Sequence, residues 1–492
     1  MIKHSERQFI NFPMIIRITG WLLMIESLFM LLPTITCLIY DESDIVPFGI
    51  SAAATAVIGF CLTRYIRPHS HKTGKREGFL LTSLVWIVFS IFGMMPFIFS
   101  STPVSVSDAF FEAMSGFTTT GASVLDSIEN MSHGIQIWRA MMQWIGGMGI
   151  ILFTLAVIPM LNSSGGMQMF NAEVTGITHD KLRPRVSQTA KTLWGVYLLL
   201  TILLIVLLWL GPMDFFESIC HAFSAISTGG FSTEAGSIAA YHSVYIKVVL
   251  TIFMFLGGVN FALIFKAMCG NFYELQRNGV FRTYVVAISV FFVLFVFTII
   301  SRGQFHTWED ITIDPLFQIV STMTSTGFSA TNYENWGPFV MSLMFFMMFF
   351  GACAGSTTGG AKLDRLLYLL KNCRNELYRC IYPRSIMSVR INDHVISPDI
   401  VNKVIAFLCI YTLLIGVGGV ILSAMNIPIF DAFFSAFSAI SNTGLGAGIT
   451  GYGGSFELLP DVGKWVLSVL MLIGRLEIFT VLLVFTPAFW RK

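Results

Sequence analysis

Apolar residues fall in long stretches along this chain, with polar residues collected in short clusters between them. A membrane-spanning helix needs about 20 apolar residues. Ten stretches fit that description: 14–40, 46–63, 78–100, 137–161, 190–211, 243–265, 284–301, 338–361, 400–425 and 463–489. Four shorter stretches, 108–120, 217–229, 314–326 and 431–443, each end in a Ser/Thr/Gly-rich tail. They are too short to cross. Backbone that turns back at membrane depth is tolerated only where it is buried or lines a polar cavity.

Composition agrees with the pattern. The 492 residues are 55% hydrophobic and 12% charged, with 46 Phe. A soluble protein carries about 25% charged residues, so a water-soluble globule is excluded. A net charge of +2 gives no basic field for nucleic acid. The eight cysteines form no CxxC pair and no zinc or haem spacing, and read as small hydrophobes. The run from Phe12 to Tyr40 is too long for a signal-peptide core and reads as a retained anchor.

Lys and Arg set the orientation. They gather in 64–77 (Arg64, Arg67, Lys72, Lys75, Arg76), in 162–191 (Lys181, Arg183, Arg185, Lys191) and in 362–394 (from Lys362 and Arg365 to Arg390). The alternate connections are acidic: Asp41, Glu42 and Asp44, then Asp126 and Glu129, then Glu457 and Asp461. Both termini are therefore expected in the cytoplasm, with all four short stretches entering from outside.

The short stretches repeat one another. Aligned on Asp108, Glu217, Asp314 and Asp431, they carry Ser115, Ser224, Ser321 and Ser438 seven residues on. A hydroxyl stands at offset ten (Thr118, Ser227, Thr324, Ser441) and a glycine at offset thirteen (Gly121, Gly230, Gly327, Gly444). Each unit reads as spanning helix, short descending helix, glycine-terminated turn, spanning helix. Two crossings per unit make all four face the same way, around an axis along the membrane normal. The expected boundaries are a two-helix extension at 1–70 and repeats at 71–165, 185–275, 280–375 and 395–492.

The opening acids suit helix N-termini, where the dipole is positive, or attract external cations. The opposite, negative ends would converge near the membrane middle and favour a dehydrated cation. The returning segments are Thr118-Thr119-Thr120-Gly121, Ser227-Thr228-Gly229-Gly230, Thr324-Ser325-Thr326-Gly327 and Ser441-Asn442-Thr443-Gly444. Backbone carbonyls pointing inward can replace a cation's water, and glycine permits the angles required. Glycines also cluster in the helix after each segment: Gly146-Gly147-Met148-Gly149, Gly257-Gly258, GACAGSTTGG from Gly351 to Gly360, and Gly474. The first two suit close helix packing. The third, with Gly351, Gly355, Ser356, Thr357, Thr358, Gly359 and Gly360, makes a poor helix and is expected to form a gate. Arg475, costly at this depth, either holds that loop through its carbonyls or repels cations. Glu477 is expected to face away from it, and no other acid is expected inside a spanning helix. His221 and Ser356 form no expected catalytic constellation.

The segments SGFTTTGAS, AISTGGFST, TSTGFS and SNTGLG, with WIGGMGI, GACAGSTTGGAK, KTLWGVYLLLT, GRLEIFT and FTPAFW, resemble the Trk/Ktr/HKT superfamily of potassium transporters, nearest to its bacterial Trk type. The resemblance spans essentially the whole chain. It implies an all-α polytopic protein of four pseudo-symmetric M1–P–M2 units of potassium-channel type, usually a homodimer in the bacterial cytoplasmic membrane. It implies K+ uptake past Gly121, Gly230, Gly327 and Gly444, a gate at 351–361 beside Arg475, and no enzymatic activity. The partner it implies is a cytoplasmic ring of nucleotide-binding (TrkA-like) subunits carrying NAD(H) or ATP/ADP, and this chain carries no organic cofactor. Only the glycine column is uniform among the four segments, but glycine rather than serine at 121 argues for potassium. The alternative is a secondary transporter driven by protons or sodium, a class that commonly shows inverted repeats and membrane-buried acids.

Overall fold

The computed structural model describes residues 10–67, 74–125, 127–149, 186–303, 307–385, 387–392, 394–452 and 454–491. Most of the basic segment 162–191, the second half of the span expected at 137–161, Lys72 and Asp126 lie outside them. The described chain is helical apart from one small antiparallel pairing of Arg390–Ile391 with His394–Val395.

Six described helices are long and apolar enough to cross a membrane: Phe12–Ile39, Ile45–Tyr65, Arg76–Phe99, Ala190–Trp209, Gly279–Arg302 and Pro398–Ser423. A seventh span is a pair, Val244–Gly257 and Phe261–Met268, bent by 106°. Leu28, Phe297 and Leu413 stand exposed on outward faces, where lipid would cover them. The first two helices cross closely, because Gly20 and Gly59 each face the other's carbonyl. Acids from their connection reach the rest of the fold. Glu42 accepts the His133 and Gly134 amides at a helix N-terminus, and Asp44 accepts the Ser101 amide.

The short stretches are the helices Val106–Phe117, Phe215–Ile226, Asp314–Met323 and Ile429–Ser441, and each opening acid lies in its first turn. Ser105 caps the first helix, and an Asp214/Glu217 capping box starts the second. Asp314 and Asp108 also pair with cations on neighbouring elements, Lys247 at 2.6 Å and Lys464.

Four of the ten expected spans are not continuous helices over their described length. Helix His133–Gly147 stops at its glycine pair, Pro338–Phe350 at Gly351, and Asp461–Arg475 before Glu477. The span expected at 243–265 is the bent pair. A break was expected only in the third unit; the structure interrupts the first, second and fourth as well. The reason is packing against the short helices. A Cβ at Gly146 would lie 1.9 Å from the Phe117 carbonyl oxygen, and one at Gly474 would lie 2.0 Å from that of Ile440. Backbone meets backbone at these points, and the helices turn there.

Candidate functional site

The four Ser/Thr/Gly segments leave the C-termini of the short helices by the same turn. The residue at offset eleven sits in the left-handed region in every case: Thr119 (φ 54°), Thr228 (55°), Ser325 (53°) and Asn442 (53°). The next amide then reaches back to the serine seven residues after the acid. Thr120 donates to the Ser115 carbonyl, Gly229 to Ser224, Thr326 to Ser321 and Thr443 to Ser438, all at 2.8–2.9 Å. The serine column is thus read by its carbonyls.

The glycines follow at φ 84°, 82°, 86° and 75° for Gly121, Gly230, Gly327 and Gly444. They close a ring. A Cβ at Gly121 would lie 2.0 Å from the Gly229 carbonyl oxygen, at Gly230 1.9 Å from that of Thr326, at Gly327 2.1 Å from that of Thr443, and at Gly444 2.2 Å from that of Thr120. Each glycine therefore faces the carbonyl just before the glycine of the next segment, and the fourth returns to the first. A side chain anywhere in this circuit would be strained by φ and would strike a backbone oxygen. The four glycines together line a cavity of about 470 Å³. Glu234 lines it too; burial, then the neighbouring Glu129, holds its carboxyl above the usual carboxylate range.

Hydroxyl pairs brace three of the segments: Thr118–Thr120 at 2.8 Å, Thr324–Thr326 at 2.7 Å and Ser441–Thr443 at 2.8 Å. Buried side chains brace them from behind. Arg139 donates to Glu112 at 2.7 Å, to the Ser123 hydroxyl and to the Ser232 carbonyl, and so ties the first returning strand to the second. Both members of this ion pair are essentially inaccessible to solvent.

The 351–360 stretch is a non-helical loop, with Gly351, Gly355 and Gly360 at φ 60°, 77° and 75°. It lies against the second, third and fourth segments, and Arg475 links it to the first. The Thr357 hydroxyl donates to the Ile226 carbonyl at 3.1 Å and meets Thr228 at 3.4 Å. The Gly359 amide donates to the Ser325 hydroxyl at 2.6 Å, and a Cβ on Gly359 would lie 2.1 Å from the Ser441 carbonyl oxygen. Arg475 completes the set. It donates to the Thr357 carbonyl and the Thr119 hydroxyl at 3.0 Å each, and to the Gly146 carbonyl at 2.6 Å. Ser356 and Thr358 bond each other, and the Lys362 ammonium bonds Thr358. All the predicted segment and loop residues come together, and Arg475 holds the loop through a carbonyl.

Glu477 has its own partner, Arg365, at 2.5 Å. It lies at a helix break rather than within a span. The acid inside a span is one the sequence reading overlooked: Glu26, in the middle of Phe12–Ile39, 1% exposed and without a hydrogen-bond partner among the described residues. The reading also passed over Gln143, Glu112 and Arg139. A signal for Glu112 existed. Glu112, His221, Gln318 and Ser435 put a polar residue at offset four of every short helix. His221 is buried, its ring nitrogens meeting the Glu217 carbonyl and the Ser232 hydroxyl.

Comparison with known proteins is consistent across sequence and structure. The potassium transporter TrkH of Vibrio parahaemolyticus, known from a crystal structure, superposes with a TM-score of 0.88 at 34% identity, covering 98% of this chain and 100% of that one. The Trk system potassium uptake protein TrkH of Escherichia coli K12 is 37% identical over 488 residues, which are 98% of this chain and 100% of the relative. TrkG of the same strain is 32% identical over 487 residues, 96% of this chain and 97% of its own. The family model for TrkH, described as cation transport protein, matches residues 50–492, so the chain belongs to the TrkH family of cation transport proteins.

Proposed function

We propose that this protein carries out potassium uptake across the cytoplasmic membrane, with the four-glycine ring as its selectivity filter. The single observation that carries the reading is the cyclic contact of each glycine with the carbonyl of the next segment. Stripping a cation of water requires a close set of oxygens, and a circuit of backbone carbonyls without intervening side chains supplies them. The relatives named for potassium uptake support that choice of ion. In this reading the chain comprises four M1–P–M2 units after two extra helices, has both termini in the cytoplasm, and forms a homodimer.

The loop at 351–361 with Arg475 is the gate. It lies against the bases of the filter segments, and the guanidinium puts a positive charge where a cation would leave. A cytoplasmic ring of nucleotide-binding subunits opens it, docking on the exposed basic residues from Lys371 to Arg390, since Lys362 and Arg365 are buried. No pump is needed: a membrane potential of 100 mV is worth about 2.3 kcal/mol per charge, which sustains roughly a 50-fold gradient.

Gly121→Ser is the test. The side chain must push the Gly229 carbonyl aside, so the ring opens on one side and admits sodium. Reversal potentials in liposomes under opposed potassium and sodium gradients should move toward sodium. An unchanged ion preference in the folded variant defeats the filter assignment. One observation favours the second reading, coupled secondary transport: the orphaned carboxyl of Glu26 inside a span.

A further inference from the structure

The second filter segment departs from the other three. Thr120, Thr326 and Thr443 each carry a hydroxyl bonded to the hydroxyl two residues before it. Position 229 is glycine, so this bridge cannot form. Unlike the ring glycines, Gly229 is not in the left-handed region, so backbone angle does not explain the residue. Packing does. A Cβ on Gly229 would lie 2.3 Å from Cδ of Gln143 and 2.5 Å from its Oε1. The Gln143 amide occupies the space a threonine side chain would need.

Gln143 uses that space for two hydrogen bonds. Its Nε2 donates to the Gly229 carbonyl at 2.7 Å, and its Oε1 accepts the Phe231 amide at 3.1 Å. The side chain is fully buried, so both bonds are shielded from water. The Gly229 oxygen is the one that Gly121 faces across the ring. Gln143 therefore fixes one of the four inter-segment contacts from outside.

The swap is consistent within the chain. Gln143 stands three residues before Gly146, where its helix meets the first short helix. The residues three before Gly257, Phe350 and Gly474 are Met254, Met347 and Met471. One helix thus combines glutamine with a glycine on the next filter segment, and three combine methionine with a threonine.

We propose that Gln143 is a specificity-determining positioning residue, holding the second filter segment in register from behind in place of the missing hydroxyl bridge. The proposal rests on the filter reading above. It requires that ion preference, and not only folding, depend on the amide.

Gln143→Met nearly conserves volume and leaves the Gly229 carbonyl and Phe231 amide without partners. In liposomes containing the full-length protein, its sodium-to-potassium permeability ratio is expected to rise about fivefold, the effect of one lost hydrogen bond. Gln143→Glu keeps the acceptor for Phe231 but cannot donate to Gly229 when ionised, and is expected to raise the ratio too. The double variant Gln143→Met/Gly229→Thr gives the second segment the chemistry of the others, with Ser227 available to bridge, and is expected to return the ratio toward the parent value. Gly327→Ser is measured alongside. An unchanged ratio in both Gln143 variants, with sodium admitted by Gly327→Ser, overturns this inference alone. An unchanged ratio in all three overturns the filter reading with it. A double variant no better than Gln143→Met overturns the exchange of glutamine for hydroxyl.

Discussion

A guanidinium deep in a membrane protein is costly unless its donors are met, and Arg475 bonds three oxygens from three different parts of the chain. One is on the loop, one on the first filter segment and one at the end of a broken helix. Charge-assisted bonds contribute about 1.5–3 kcal/mol each. Arg475→Gln keeps a donor but loses the charge and the fork. It should destabilise the closed arrangement enough to raise potassium leak in partner-free liposomes about tenfold or more. An equally tight variant would remove Arg475 from the gate. The Arg139–Glu112 pair is a different case, since it lies behind the ring. Arg139→Met leaves Glu112 buried and uncompensated, at a cost of about 3–5 kcal/mol. A thermal unfolding midpoint well below the parent's is expected, with recovery in the Arg139→Met/Glu112→Gln double variant. No recovery would mean that the arginine acts by packing alone, through Phe231, whose ring lies 4.2 Å beneath it.

At the level of elements, two of the helices that follow the filter segments, those ending near Gly146 and Gly474, stop where backbone meets the backbone of a short helix. Hydropathy reports burial, not continuity, so 463–489 read as one span although it turns at Leu476–Ile478. The glycine columns were legible because each marks a backbone constraint repeated four times. The offset-ten hydroxyls were legible for the same reason. Gln143 was not: it acts on a neighbouring unit, 86 residues away, and an alignment of units with themselves cannot show it. Glu26 was passed over because one acid barely dents the apolarity of a 28-residue helix. The loop was legible from its Gly/Ser/Thr content, but its contact with three of the segments, and its link to the first through Arg475, was not. That contact sharpens the expectation for its removal. Deleting 352–358 takes away Thr357 and leaves Arg475 without that carbonyl, so the pore should conduct with little dependence on any partner. A deletion variant that folds and stays tightly closed would show that the seal lies elsewhere.

Across the whole molecule, four equivalent backbone turns are held by unequal side chains, and the inequality separates a pore from a pump. In a pore the ring sets the ion and the loop sets the time of opening; nothing need change protonation as an ion passes. Coupled transport needs a proton acceptor in the membrane, and Glu26, which has no hydrogen-bond partner among the described residues, is the candidate. Its surroundings place it near the gate: Trp86 lines the same small cavity and lies 5.8 Å from the Arg475 guanidinium, and the Gly146 carbonyl that Arg475 bonds is on that cavity's edge. The two readings predict different reversal potentials. With potassium gradients fixed and pH varied on one side, a passive pathway reverses at the potassium equilibrium potential at every pH. A proton-coupled pathway shifts by an amount set by the number of protons per ion, and Glu26→Gln abolishes the shift. The ring geometry leads to the first outcome, in the parent protein and in Glu26→Gln alike. A pH-dependent reversal potential that Glu26→Gln removes would replace the pore with a coupled transporter built on the same four turns.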